Sequence, residues 1–325
     1  MKITKKDLLA IVITISLVSV LNGCQNSNKS KDQTTTDKET SSITTKSVDE
    51  GTSCNTPKLE YTLTDEGGVM VEKFDSKITD ENRYNQNNKV YIPKTKIRYS
   101  YKYVDTDAKE YLFKATDIDE DGLWDLNDIS KTDNKTVTSI LITVLNGLDC
   151  FKEIPDYNQT VIQYDFLKND GTLAHQRYKT GVIENEANIW MHPARTKNFR
   201  ALELNPFPFI KKPYAIGNKW SWKMSIGDFW SNKNWKEWKG SIKNNYEYEI
   251  IDKVNLETKQ GLIECYKIKS TATSRIGKTT LMAYFSEKYG FVKLDYTNIN
   301  NTKIVFDMVE FIKYDTVLDS NRYNL

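Results

Sequence analysis

Aspartates recur at a regular spacing in the segment from Asp117 to Asp128. Counted from Asp117, aspartate occupies positions 1, 3, 5, 9 and 12, and glycine occupies position 6. A hard divalent cation takes about six to eight oxygen ligands, and this spacing lets alternate side chains converge while the glycine permits the turn. We therefore predict a structural Ca²⁺ site. Its ligands would be Asp117, Asp119, Asp121, the backbone carbonyl of Leu123, Asp125 and Asp128.

This Asp-rich segment resembles the calcium loops of EF-hands, dockerins and thrombospondin type 3 repeats. The resemblance implies weak, structural calcium binding of the kind found in extracellular modules. The sequence departs from the EF-hand in two ways: residues 110–115 have the pattern of a strand instead of a helix, and Asp128 replaces the usual glutamate. The alternative is an acidic surface turn, which does not explain five aspartates in register.

Five of the seven tryptophans lie in one short window of the sequence. They are Trp220, Trp222, Trp230, Trp235 and Trp238. Aromatic side chains on a surface can stack on sugars or hold apolar ligands, whereas most aromatic clusters in β-domains belong to the core. We keep both alternatives, a possible ligand surface and a packed core.

Acidic residues and a histidine near position 190 are the best candidates for hydrolytic chemistry. Glu184 or Glu186 could act as base or nucleophile, with His192 nearby. A histidine before a proline is more often structural, and neither a Gly-x-Ser-x-Gly elbow nor a His-Glu-x-x-His motif occurs. We therefore favour a non-catalytic binding or structural module over a glycan-acting hydrolase, with a carrier of an apolar ligand as a third hypothesis.

Two observations argue against nucleotides and nucleic acids as partners. The segment 272–279 satisfies a relaxed phosphate-loop pattern, but β-branched residues continue on both sides, so we predict a hairpin turn. The chain from residue 24 onward has equal numbers of basic and acidic residues. It therefore lacks the excess of positive charge that nucleic-acid binding requires.

The N-terminus has the order of an export signal. Three lysines precede the apolar stretch 8–21, and Leu21-Asn22-Gly23-Cys24 follows. These four residues resemble the bacterial lipobox, which implies that Cys24 is acylated and becomes the new N-terminus. The protein would then be anchored to a membrane of the cell envelope, facing the periplasm or the cell surface. The alternative is an ordinary secretory peptide with an incidental cysteine.

Composition and periodicity divide the rest of the chain. We predict a signal peptide over 1–23, a lipidated disordered tether over 24–57, a β-rich half over 58–204 and an antiparallel β-domain over 205–325. The fold class is mainly β, with an antiparallel meander forming a curved sheet or open barrel. Strands are predicted near 246–251, 262–273, 279–286, 291–296 and 303–312. Acylation would leave three cysteines, Cys54, Cys150 and Cys265, and so one disulfide at most.

The C-terminal third resembles a loose family of uncharacterised exported bacterial β-domains. The motifs that carry this resemblance are Gly217-Asn218-Lys219-Trp220-Ser221-Trp222, the tyrosines at 246 and 248, the segment 261–266 and Tyr289-Gly290-Phe291. The resemblance implies a β-sheet fold and no known activity.

We predict that excess Ca²⁺ raises the melting temperature by about 3 °C, because a ligand that binds only the folded state stabilises it. Asp119→Ala should abolish this rise, and Asp107→Ala, which removes a carboxylate outside the Asp-rich segment, should keep it. Thermal unfolding followed by circular dichroism, with calcium and with a chelator, measures both. A wild-type melting temperature that calcium leaves unchanged would rule out the site.

Overall fold

The computed structural model of the protein describes residues 58–116 and 122–313. The predicted signal peptide, Cys24, the tether and Cys54 lie outside these residues. No helix among the described residues is long and apolar enough to cross a membrane. The described strands are β1 (Tyr61–Glu66), β2 (Val69–Phe74), β3 (Lys96–Val104), β4 (Glu110–Lys114), β5 (Asp125–Asp128), β6 (Thr136–Val144), β7 (Thr160–Lys168), β8 (Tyr178–Glu184), β9 (Asn188–Met191), β10 (Phe209–Lys211), β11 (Lys219–Ile226), β12 (Ile242–Thr258), β13 (Gly261–Ser274), β14 (Gly277–Ser286), β15 (Gly290–Thr297) and β16 (Lys303–Ile312).

Short 3₁₀ helices occupy some of the connections. They are Arg83–Asn85, Asp149–Phe151, Lys197–Leu204 and Asp228–Trp230.

The fold is mainly β, as predicted, and its large antiparallel sheet is nearly closed. Within the described residues the strand order is β10-β9-β8-β7-β6-β4-β3-β16-β15-β14-β13-β12-β11, with β5 paired to β4.

The predicted C-terminal meander is confirmed. Strands β12 to β16 pair antiparallel in chain order, each with the next. Period-2 burial explains why: along β12, every second residue from Ile242 to Ile250 is buried, while the residues between them are exposed or half-buried. The segment 272–279 is the β13–β14 hairpin, whose turn is Arg275-Ile276.

Pairing between β3 and β16 joins the first part of the chain to the last. The register places Tyr101 opposite Phe306 and Ile97 opposite Phe311. The buried faces of these strands fill the interior, and full burial of one such large apolar side chain contributes about 2 kcal/mol. Strands from both sides of position 205 therefore belong to one sheet.

The proline-rich segment at the predicted boundary packs against the sheet. The side-chain amide of Asn205 donates to the Thr297 carbonyl at 3.0 Å, and that of Asn244 donates to the Leu204 carbonyl at 3.0 Å. Phe207 is fully buried. The first bond ties the segment to a carbonyl at the end of β15, and the second satisfies a backbone carbonyl at the start of the segment.

The two ends of the strand order, β10 and β11, face each other across a seam. No backbone ladder pairs them in the part of the chain that the structure describes. Aromatic side chains span the seam instead: the ring centroids of Phe209 and Trp220 are 5.8 Å apart, and those of Trp190 and Trp222 are 5.7 Å apart. Ring contacts thus replace backbone hydrogen bonds at this line.

The β1–β2 hairpin packs over the seam. The backbone N–H of Met70 donates to Asn188 Oδ1 at 2.8 Å, and Lys211 Nζ donates to the Gly68 carbonyl at 2.9 Å. On the other side, Gly68 lies against Ser221 and Trp222 of β11. The hairpin therefore contacts both edges of the sheet.

Gly68 is the residue where this contact is closest. Its φ is +110°, and an added Cβ would overlap the Ser221 carbonyl oxygen and lie 2.9 Å from the Trp222 Cβ. We predict that Gly68→Ala lowers the free energy of unfolding by about 2–4 kcal/mol, from backbone strain plus the clash. Denaturant unfolding measures it.

Gly171→Ala is the matched control for backbone strain alone. Gly171 has a φ of +79° and no neighbour within 4 Å of an added Cβ. The loss there should be about 1 kcal/mol. Equal losses at the two positions would contradict close packing of the hairpin against β11.

Candidate functional site

The described part of the Asp-rich segment begins after its first three predicted ligands. Asp117, Asp119 and Asp121 lie outside the described residues, whereas Leu123, Asp125 and Asp128 lie within them. Leu123 is buried, and Asp125 and Asp128 stand at the two ends of β5. Because side chains alternate along a strand, residues three apart point to opposite faces.

Asp128 already has partners within the protein. Its carboxylate accepts hydrogen bonds from the backbone N–H of Ser130 at 3.0 Å and from the Ser130 hydroxyl at 2.7 Å, and Lys109 Nζ lies 3.4 Å away. The Ser130 hydrogen bonds lower the pKa of Asp128 to about 2. Among the described residues, no three His, Cys, Asp or Glu side chains gather as metal ligands. Calcium binding by this segment stays a prediction.

Four of the five clustered tryptophans are buried. Trp222, Trp230, Trp235 and Trp238 are only 7–8 % exposed, and Trp220 is half-buried. Trp222 and Trp220 pack in the main core at the seam. The other three form a second cluster, whose remaining buried members are Leu123, Ala201, Leu204, Ile226 and Ile242. This burial leaves little indole face for stacking on a sugar.

The second cluster supports an irregular loop, residues 227–241, which we call the Trp-supported loop. Four hydrogen bonds fix its backbone or close it. They are Arg200 Nη2 to the Phe229 carbonyl at 2.6 Å, Arg275 Nη2 to the Lys239 carbonyl at 2.9 Å, Asn300 Nδ2 to the Asn234 carbonyl at 2.9 Å, and the Gly240 N–H to Asp228 Oδ2 at 2.7 Å. Hydrogen bonds from three other segments therefore hold the loop, and its own buried indole rings anchor it in the second cluster.

The outer face of this loop carries one aromatic ring and several charges. Phe229 is 50 % exposed, and Lys233, Lys236 and Lys239 are exposed. The Arg200 guanidinium lies 5.0 Å from the centre of the Phe229 ring. A half-exposed aromatic ring beside cations is a contact-forming arrangement on an otherwise polar surface.

Glu184, a predicted catalytic candidate, has a structural role in the described residues. Its carboxylate accepts hydrogen bonds from the backbone N–H groups of Lys89, Val90 and Tyr91 at 2.8–3.1 Å, and its side chain is buried. Burial raises its pKa, and the three backbone donors oppose the rise. A carboxylate whose oxygens satisfy three buried donors is not free to attack a substrate.

The other two candidates are not brought together with it as a catalytic group. Glu186 accepts a hydrogen bond from the Tyr61 hydroxyl at 2.7 Å. His192 is buried, with its ring centroid 4.5 Å from that of Trp190, and burial lowers its pKa well below the usual range. Its imidazole is therefore neutral, and its backbone carbonyl accepts the Tyr164 hydroxyl at 2.7 Å.

Sequence reasoning missed Glu72. This residue on β2 is 4 % exposed and accepts a hydrogen bond from Asn87 Nδ2. It shares a polar cavity of about 10 Å³ with Tyr84, Asn158, Thr160 and Glu184. Burial raises the pKa of Glu72 to about 7. No pattern in the sequence distinguishes it from an exposed strand glutamate.

Sequence reasoning also missed a buried ion pair. Arg195 Nη1 lies 3.4 Å from Glu203 Oε2, with both side chains 5 % exposed, and Arg195 also donates to Thr180 Oγ1 at 3.2 Å and to the Tyr178 hydroxyl. No pattern in the sequence links Glu203 to Arg195. The pair is fully enclosed, so it fixes the 3₁₀ helix Lys197–Leu204 to β8.

The interior of the sheet is filled with side chains. Its best-defined cavity measures about 20 Å³ and lies among Tyr99, Tyr164, Met191, Leu294 and Tyr296. A space of this size holds about one water molecule. An apolar ligand would need a far larger cavity.

Comparisons with known proteins give weak similarities. No family model matches the chain, and no curated protein matches it. Among solved structures, one from Bacteroides fragilis, described as an exported protein with a YmcC-like fold, is 11 % identical over 70 % of this chain and 98 % of its own, with a TM-score of 0.38. A lipoprotein from Parabacteroides distasonis is 14 % identical over 69 % of this chain and 97 % of its own, with a TM-score of 0.37.

A third similar structure is the hypothetical lipoprotein YmcC from Escherichia coli. It is 8 % identical over 73 % of this chain and 92 % of its own, with a TM-score of 0.27. Similarities at this level do not establish membership of a family.

Glu72→Gln should change how stability depends on pH. Burial raises the pKa of Glu72 in the folded protein to about 7, above the usual 4.5 of a glutamate, so the folded protein binds the proton more tightly, and wild-type stability falls as pH rises from 4.5 through 7. The variant lacks this loss. Relative to the wild type it should gain about 1–2 kcal/mol between pH 4.5 and 8, less than the full shift implies because some solvent reaches the carboxyl.

Urea unfolding of both proteins across this pH range measures the difference. Glu257→Gln, at an exposed position of β12, is the control and should follow the wild type. Parallel curves for wild type and Glu72→Gln would show that Glu72 ionises normally in the folded protein.

Proposed function

We propose that this protein is an exported, lipid-anchored β-body that binds a component of the cell envelope without catalysis, and that the Trp-supported loop is its contact surface. The observation that carries the proposal is the loop itself. Three buried indoles hold residues 227–241 in place while Phe229 and the loop lysines remain at the surface. Rigid support under an exposed aromatic ring lowers the entropy cost of binding.

The positions of the candidate catalytic groups favour binding over turnover. The Glu184 carboxylate accepts hydrogen bonds from backbone N–H groups, and His192 is buried against aromatic rings. A glycan-acting hydrolase would need two carboxylates about 5–10 Å apart across an open groove.

The start of the described body is compatible with a tether. The Leu59 N–H donates to Gln86 Oε1 at 2.9 Å, so the chain is fixed from this point onward. The predicted tether of residues 24–57 would span at most about 110 Å when fully extended. An acyl group on Cys24 would therefore keep the body close to a bilayer without fixing its orientation.

Calcium bound to the Asp-rich segment would act on the end of the protein that carries the Trp-supported loop. Leu123 packs in the second cluster, and the Trp124 N–H donates to Asn198 Oδ1 at 2.8 Å. Both contacts connect the segment to the base of the Trp-supported loop. We propose that the ion stiffens this end.

Acylation is tested by the mass of the protein purified from membranes of an expressing bacterium. The mature protein should begin at Cys24 and carry acyl chains, and Cys24→Ala should retain its leader or lose all lipid. Wild-type protein without fatty acid would contradict the anchor.

The contact surface is tested by a photo-crosslinking amino acid at position 229 in intact cells. A crosslinker at 229 should capture an envelope component. The control position is 262, since Leu262 is 71 % exposed and lies far along the β12–β13 hairpin from the loop. Capture at 262 and not at 229 would contradict the assignment of the surface.

A further inference from the structure

The Trp-supported loop and its two arginine contacts form a basic surface on a chain that is almost neutral. The loop carries Lys233, Lys236 and Lys239 against Asp228 and Glu237, and Arg200 and Arg275 bind its backbone. The loop itself thus carries three basic and two acidic side chains, and two further basic side chains contact it from other segments, whereas the whole chain has 46 basic and 44 acidic residues. One of the two acids, Asp228, already accepts the Gly240 N–H.

A half-exposed aromatic ring lies beside one of these charges. Arg200 lies over the Phe229 ring and also donates to the Phe229 carbonyl, so one guanidinium fixes both the backbone and the ring. Trp230 packs below, where its ring centroid is 5.4 Å from that of Phe229. The phenyl ring is therefore held half out of the protein instead of folding into the second cluster.

We infer that this surface docks on a membrane that contains anionic phospholipid. The loop presents three exposed lysines together with a half-exposed phenyl ring that can enter the boundary between headgroups and acyl chains, which is the composition of interfacial binding sites. Phosphate groups would meet the lysines, and Phe229 would bury apolar area in the boundary. Neutral glycans fit less well, because four of the five clustered indoles are only 7–8 % exposed.

This inference rests on the proposed function, since the acyl anchor supplies the bilayer as the neighbouring surface. A tethered body meets its own membrane at high effective concentration, so weak docking is enough to orient it. Attraction between exposed charges and phosphates falls with salt because the Debye length shortens to about 8 Å at physiological ionic strength.

Vesicle flotation tests the inference on the mature chain with Cys24→Ser, which cannot be acylated. With its loop unchanged, this Cys24→Ser chain should float with vesicles of phosphatidylcholine mixed with phosphatidylglycerol, should not float with phosphatidylcholine alone, and should release as salt increases. The triple variant Lys233→Glu, Lys236→Glu, Lys239→Glu should lose about tenfold or more of its affinity. Phe229→Ala should lose a smaller, severalfold part.

A second triple variant controls for net charge. Lys77→Glu, Lys152→Glu, Lys259→Glu makes the same change of charge at exposed positions outside the loop, and it should float like the wild type. Near-ultraviolet circular dichroism, dominated by the clustered tryptophans, checks that each variant folds. If the first triple variant unfolds, Lys→Gln at the same three positions replaces it.

Three results would overturn the inference. They are equal flotation with phosphatidylcholine alone, equal losses in the two triple variants, and binding of inorganic polyphosphate by a protein that does not float with anionic vesicles. Each leaves the crosslinking result at position 229 intact, so failure of the membrane assignment is distinguishable from failure of the contact surface.

Discussion

Closure of the sheet without a backbone ladder is the constraint on which the rest of the structure depends. Thirteen strands form one path, and its two ends, β10 and β11, meet at a seam that the described backbone does not bridge. Unpaired strand edges attract other strands and expose polar groups, so a protein must cover them. Here Phe209, Trp220, Trp190 and Trp222 span the seam, and the β1–β2 hairpin covers it.

Polar side chains near the seam are engaged in hydrogen bonds that hold the hairpin and the loop after it. Asn188 binds the hairpin backbone, and Glu184 binds the loop that follows the hairpin, so the amide and the carboxylate both satisfy buried donors. Glu72 is carried by the hairpin itself into a polar cavity next to Glu184. The Trp-supported loop, by contrast, keeps Phe229 half-exposed on its outer face.

Local pattern predicted much of the fold. The alternation along 303–312 predicts β16 to the residue, and short polar turns predict the meander, because both signals lie within one strand or turn. No local sequence pattern predicts the pairing of β3 with β16, which lie about 200 residues apart in the chain. The tryptophan window shows the same limit: spacing places Trp220 and Trp222 on one face, but burial of Trp230, Trp235 and Trp238 depends on Leu123, Ala201 and Leu204 from elsewhere. Likewise, only the folded structure shows that Glu203 forms an ion pair with Arg195.

Native-state hydrogen exchange measured by mass spectrometry tests closure of the seam by the hairpin most directly. If the hairpin and β11 depend on each other, the amides of residues 61–74 and 219–226 should open together, with one free energy, below that of β3 and β16. Complete exchange of the hairpin while β11 keeps the protection of β3 and β16 would contradict the account, because the seam would then be closed without the hairpin.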